Sequence, residues 1–326
     1  MEKVIDVIAS QNKNLFRMGD RIKSNNNEYR VLRRLGNGGS GTAYLAMGVE
    51  GMYSGCYVVI KIFYNIDKTD RLLRFKKEIS FLKECNHPSI VTFYEEGTHI
   101  KDENEYPFYV MEYMPTNLKS VLQRGYLDIE KSFLYTTQLI SALQYMQSKN
   151  IIHRDIKPEN IFINGNQAIL GDFGLLKELN AEDIDIQKDI EDLYSSISNG
   201  NAMPRNYRTP QLVEYMTNKT PLTFKTDIFQ LGIIVATMFI GDHPLKWTKK
   251  IEEPVEFKEP LHEMLKPLNK IGQNKFKGQY IINIINGMMN LDDEKIFDIK
   301  KLLKLSTTTF SNYLTEKEKL EGKIFE

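Results

Sequence analysis

One short stretch, residues 153–174, narrows the fold more than any other part of the chain. It reads His153-Arg154-Asp155-Ile156-Lys157-Pro158-Glu159-Asn160 and continues through apolar Ile161-Phe162-Ile163. A turn at Asn164-Gly165-Asn166, apolar Ala168-Ile169-Leu170 and finally Gly171-Asp172-Phe173-Gly174 complete it. Apolar, β-prone runs flanking an Asn-Gly turn predict a hairpin, so the order is loop, strand, tight turn, strand, loop. Both loops then lie at the same end of the hairpin. Asp155, Lys157 and Asn160 on one are therefore expected beside Asp172 on the other.

The spacing of these residues resembles the catalytic and metal-binding loops of eukaryotic-type serine/threonine protein kinases. The resemblance implies an α+β, bilobal protein-kinase-like fold, with a small β-rich lobe and a larger, mainly α-helical lobe. It also implies transfer of the ATP γ-phosphate to serine or threonine hydroxyls of a protein, with ATP and Mg2+ as cofactors. Phosphoryl transfer needs positioning and charge neutralisation more than covalent help. By resemblance, Asp155 takes or orients the substrate proton, and Lys157 contacts the transferring phosphate. Asp172 and Asn160 hold magnesium, a hard cation suited to oxygen donors. A lysine two places after the aspartate is the serine/threonine form of the loop.

The other half of such a site belongs upstream. Residues 29–35 read as a strand, Gly36-Asn37-Gly38-Gly39-Ser40-Gly41 as a loop, and residues 42–47 as a second strand. A lone glycine-rich signature also fits a dinucleotide fold, but that fold requires a helix directly after the glycines. Thr42-Ala43-Tyr44-Leu45 reads as strand, which favours a phosphate-covering hairpin whose backbone can approach closely. Val58-Val59-Ile60-Lys61 is an apolar strand ending in a lysine that the resemblance pairs with ATP phosphates and with Glu78. Glu78 falls in a helical stretch, residues 71–85, marked by Leu72, Phe75, Ile79 and Leu82. Ala43 and Val59 form the expected adenine roof, with small and larger residues exchanged relative to the family at nearly constant volume. Phe162 is the expected floor, Met111 the guard of the back pocket, and Glu112 and Met114 hinge contacts.

The expected domains are an N-terminal extension (1–28), an N-lobe (29–111), a hinge (112–117), a C-lobe (118–310) and a charged tail (311–326). Asp227, opening an apolar helical run, is expected to hold the catalytic-loop backbone; a helix N-cap role is the alternative. The chain of 326 residues carries 43 basic and 43 acidic side chains, so neither nucleic acid nor an anionic membrane is indicated as a partner. Cys56 and Cys85 make no metal or redox spacing. The longest apolar run, residues 231–241, is far short of the ~20 residues that span a bilayer. These features fit a cytoplasmic enzyme.

Departures from the family pattern cluster after Asp172. The docking stretch reads Pro204-Arg205-Asn206-Tyr207-Arg208-Thr209-Pro210-Gln211. Gln211 stands where relatives carry a glutamate, and Ile296 where they carry its buried arginine partner; losing both members of a buried pair can be neutral. Pro204 removes a hydroxyl usually engaged with the catalytic loop. That motivates the alternative of an ATP-binding scaffold with weak or no transfer activity. A kinase-like enzyme acting on a small molecule fits the docking stretch less well. Arg154 implies a cationic pocket awaiting a negative charge. An upstream kinase or self-phosphorylation at Ser195, Ser196 or Ser198 would provide it, as would phosphorylation of Tyr194. Residues 178–192, however, carry seven acids against one lysine, with Ile186, Ile190 and Leu193 at helical spacing. An acidic amphipathic helix and a solvated acidic loop fit this composition equally well; the hypothesis carried forward is that a carboxylate supplies the counter-charge for Arg154 without phosphorylation. Glu159 is a weaker candidate for attracting a basic residue of the substrate.

Overall fold

The computed structural model describes residues 15–38, 41–64, 69–125, 127–179, 189–191, 193, 205–248, 250, 252–270 and 278–322. The chain divides into two compact units. One comprises Met1–Asn86 and Ile90–Met114, and the other His87–Ser89 and Pro115–Glu326.

Among the described residues, the first unit is a six-stranded antiparallel sheet with one helix. Its strands are β1 (Arg21–Lys23), β2 (Glu28–Gly38), β3 (Gly41–Glu50), β4 (Tyr57–Ile62), β5 (Phe93–Lys101) and β6 (Asn104–Glu112), in the order β1-β2-β3-β4-β6-β5. Alternation along β2, β3, β4 and β6 buries Tyr29, Val31, Tyr44, Ala46, Val58, Ile60, Phe108 and Val110 in one cluster. The glycine-rich residues continue β2 into β3 as an antiparallel pair, with Gly38 opposite Gly41. Gly41 needs its hydrogen: a Cβ there would lie 2.4 Å from the carbonyl oxygen of Ile62, at φ +142°. Helix α1 (Thr69–Glu84) buries Phe75, Glu78, Ile79 and Leu82, one stripe at i, i+3, i+4 and i+7. Lys76, Lys77 and Glu84 point outward on the other face.

The second unit is mainly helical. Its elements are β7 (Thr116–Asn117), α2 (Leu118–Gln123), α3 (Ile129–Ser148), β8 (Ile151–Ile152), β9 (Ile161–Asn164), β10 (Gln167–Leu170) and β11 (Lys177–Glu178). Then follow α4 (Pro210–Asn218), α5 (Lys225–Ile240), α6 (Leu261–Leu265), α7 (Gln279–Met288) and α8 (Ile299–Gly322). Asp128 caps α3 by accepting from the Lys131 amide. The apolar run expected as a core helix is α5, in which twelve residues are buried and which ends on Gly241 at φ +77°. Strands β9 and β10 pair directly across a turn that holds Gly165 at φ +60°, as the hairpin expectation required. No helix among the described residues is long and apolar enough to cross a membrane.

The separate tail expected from residue 311 is not what the backbone does. Helix α8 runs unbroken to Gly322, because Tyr313 packs on Phe133 (ring centroids 5.6 Å apart) and Lys317 pairs with Glu130 at 2.5 Å. Charge on the solvent face of a docked helix reads, in sequence, like a tail.

Candidate functional site

The Ile152–Asp172 segment owes its shape to α5. Asp227 lies in the first turn of that helix, two residues past its first, and does not cap it; the cap position is Phe224. The Asp227 carboxylate instead accepts the backbone N–H of His153 (2.7 Å) and of Arg154 (2.9 Å). One turn on, Gln230 accepts from the Ile156 N–H (3.0 Å) and donates to the carbonyls of Arg154 (3.1 Å) and Tyr207 (3.0 Å). Two polar side chains of a mainly apolar helix thus hold the backbone of residues 153, 154 and 156 and the Tyr207 carbonyl. Burial pushes Asp227 up to about 6, against the two N–H groups that favour its charge. The loop also holds Arg154 at φ +67° and Asp172 at φ +58°, conformations that cost a non-glycine residue energy and persist only where surroundings enforce them.

Within this frame Asp155, Lys157 and Asn160 meet, all buried. The Lys157 ammonium donates to both Asp155 oxygens, at 3.0 and 2.8 Å. The Asn160 amide donates to the Asp155 carbonyl and to Oδ2, each at 2.9 Å. Burial raises Asp155 to about 6 although Lys157 and Asn160 both favour its charged form; nearby Asp172 adds to the rise. A carboxylate so poised takes a proton readily near neutrality. His153 is fully buried and held down to about 4 by desolvation. Its Nδ1 accepts from the Asp155 N–H (3.3 Å), so Nε2 donates to the Gly171 carbonyl (3.2 Å), and its ring packs on Phe173 at 4.8 Å. The imidazole therefore links the two loops. Because the Asn160 nitrogen is committed to Asp155, its amide oxygen is the atom left for a cation. The Asp172 carboxylate is exposed. One amide oxygen and one carboxylate are donors that suit magnesium, which keeps waters and leans on phosphate oxygens.

In the first unit, Lys61 and Glu78 form a buried ion pair at 2.7 Å. Helix phase places Glu78 on the buried stripe, apart from its exposed charged neighbours Lys76, Lys77 and Glu84. Tyr109, directly opposite Lys61 in the β4–β6 register, donates its hydroxyl to Glu78 Oε1 at 2.9 Å. Ala43 pairs with Lys61, which puts Val59 diagonally beside it on the same sheet face. Ala43 is half-buried, Val59, Met111 and Met114 are buried, and Glu112 is half-buried with its carboxylate accepting from the Thr92 N–H. Gly36 has open space where a Cβ would go. Gly39 lies outside the described residues. Phe162, in the second unit, is half-buried on β9.

The docking stretch departs from expectation. Ile296 is buried but does not answer Gln211. The Gln211 amide instead donates to the Asp293 carboxylate and to Thr223 Oγ1, and its oxygen accepts from Thr226 Oγ1 at 2.5 Å. A neutral amide next to a carboxylate replaces an ion pair. Arg208 is buried and donates to the carbonyls of Lys250 and Pro254, each at 2.7 Å. Glu159 is bound by Lys119 at 2.8 Å. Pro204 and the candidate modification sites Tyr194, Ser195, Ser196 and Ser198 lie outside the described residues.

Sequence reading missed Gln230 and Tyr109. A lone polar residue three after Asp227 in an apolar run was a readable signal for the first. Nothing short of strand register signalled the second.

A family model for the protein kinase domain matches residues 29–306. Mitogen-activated protein kinase 4 of Homo sapiens is 32% identical over 210 residues, covering 58% of this chain and 33% of that protein. Serine/threonine-protein kinase PKH2 of Saccharomyces cerevisiae is 29% identical over 232 residues, covering 70% of this chain and 21% of its own length. A probable serine/threonine-protein kinase KIN1 homolog of Enterocytozoon bieneusi is 27% identical over 299 residues, covering 89% and 44%. The chain thus spans less than half the length of each of these three relatives.

Proposed function

The chain belongs to the protein kinase family, and on that premise we propose that it transfers the γ-phosphate of ATP to serine or threonine hydroxyls of a protein substrate. The observation that carries the reading is the buried Asp155 carboxylate, bonded by Lys157 and Asn160 on a backbone that Asp227 and Gln230 fix.

In the reaction, the substrate hydroxyl oxygen bonds to the γ-phosphorus while the bond from that phosphorus to the β,γ-bridging oxygen breaks and ADP departs. The hydroxyl proton passes to Asp155. Lys157 neutralises charge on the transferring group and keeps Asp155 ionised before the step. Lys61, oriented by Glu78, binds the α- and β-phosphates. Gly36, Gly38, Gly39 and Gly41 cover them with backbone N–H groups. Ala43, Val59, Met111, Glu112, Met114 and Phe162 receive the adenine. Asp172 and Asn160 would hold magnesium, which would supply charge neutralisation for the transferring phosphate.

Incubation with γ-labelled ATP and a generic basic protein, followed by acid hydrolysis, tests the reading. Label on phosphoserine or phosphothreonine is expected. Tight ATP binding without label transfer would favour the scaffold alternative and overturn the proposal.

A further inference from the structure

Arg154 is an awkward residue. Its side chain is 2% exposed, its backbone is left-handed, and it directly precedes Asp155. A buried guanidinium cannot shed its proton, so the fold must supply an opposite charge. The Arg154 Nε donates to the Leu175 carbonyl at 2.7 Å, and Nη1 donates to Asp189 Oδ2 at 2.8 Å. The same Asp189 oxygen accepts from Lys177 Nζ at 3.0 Å and from the Tyr215 hydroxyl at 2.5 Å. Lys177 also donates to the Tyr215 hydroxyl at 2.9 Å and sits 4.7 Å from that ring's centroid. Burial alone would push Asp189 up, but Arg154, Tyr215 and Lys177 hold it down to about 2, so it is ionised near neutral pH.

These contacts join four places in the chain. Arg154 belongs to the Asp155 loop, and Lys177 to β11, which pairs with β8 just before that loop. Tyr215 lies on α4, which opens at Pro210 within the docking stretch. Asp189 itself sits in a helical turn anchored by buried Ile190 and Leu193, the apolar positions the sequence spaced for it. Resting on the kinase reading above, we propose that Asp189 is a positioning residue whose built-in carboxylate orders the catalytic loop and the docking segment without phosphorylation. Arg154 is gripped by its backbone from Asp227 and Gln230 and by its side chain from Asp189. With both grips made, the Asp155 carboxylate next to it has one orientation. A phosphate carries roughly twice the charge of a carboxylate, but the distances here are already those of direct ion pairs.

Two arms test this on the full chain. Treatment with a broad-specificity phosphatase, with removal verified by mass spectrometry, should leave kcat within about twofold; a loss of about tenfold would overturn the proposal. Asp189→Asn should lower kcat at least about tenfold while KM for ATP moves less than about threefold, and Asp189→Glu should recover most of the loss. Wild-type kcat in Asp189→Asn would overturn the proposal, as would a loss that Glu does not relieve. Should Asp189→Asn fail to fold, Tyr215→Phe keeps the charges of Arg154, Lys177 and Asp189 and removes the hydroxyl's bonds to Asp189 and Lys177. It should lower kcat about two- to fivefold at unchanged KM, and an unchanged kcat would count against the proposal. Amide hydrogen exchange at residues 153–157 separates this idea from the kinase reading. Even in a chain that transferred no phosphate, these amides should exchange faster in Asp189→Asn, and unchanged exchange there would refute the positioning role.

Discussion

At the scale of single residues, the site is governed by what burial does to a few charges. Asp155 is the clearest case: desolvation lifts it from 3.8 to about 6 in spite of two favourable partners. Raised this far, it is protonated and useless as a proton acceptor below about 6. The kcat/KM profile should therefore fall on its acid side with an apparent pKa near 6, tenfold per pH unit below that. The same shift makes ionisation costly for the fold: the stability tied to this group is complete below 3.8 and lost as pH rises through about 6. A profile flat down to pH 5 would deny Asp155 its role. These residues were legible because phosphoryl transfer restricts both their types and their spacing. Gln230 and Tyr109 were not. One acts only through the phase of α5, the other only through the β4–β6 register, and local spacing encodes neither.

At the scale of elements, the glycine hairpin and the α4 terminus make opposite demands. Gly41→Ala should be damaging, since its Cβ would meet the Ile62 carbonyl at 2.4 Å and its φ is +142°. A loss of about 1–3 kcal/mol is expected by thermal unfolding, with weaker nucleotide binding. Gly36→Ala, with nothing within 4 Å of the new methyl, should change stability by less than about 0.5 kcal/mol. Equal effects of the two would mean the hairpin is not held as described. Gln211→Glu should destabilise by about 1–3 kcal/mol, because it sets a carboxylate against Asp293 and removes the donor between them. Combining it with Asp293→Asn should restore most of the loss; a stabilised single mutant would refute this account. The sequence pointed to Ile296 as the replaced partner by simple alignment of positions. Geometry chose Asp293, three residues earlier, because a short 3-10 turn at Asp293–Lys295 brings that side chain to α4.

At the scale of the whole molecule, the alternation of strands and the stripes of α1, α3 and α5 carried the fold in the sequence. Its C-terminal end escaped, since an amphipathic helix with a charged outer face looks like a solvated tail until its buried face finds α3. Deleting residues 311–326 should therefore cost about 1–3 kcal/mol, seen as a lower melting temperature, by uncovering Phe133 and removing Tyr313. An unchanged melting temperature would restore the tail reading. The central claim is that this frame exists to present Asp155 to a substrate hydroxyl. The most direct measurement is the single-turnover rate of phosphoryl transfer at saturating ATP, wild type against Asp155→Ala, with ATP affinity measured on both. The account predicts a rate at least about a hundredfold lower in the variant and ATP affinity within about threefold. A variant that turned over within about tenfold of wild type, with ATP bound equally well, would contradict it.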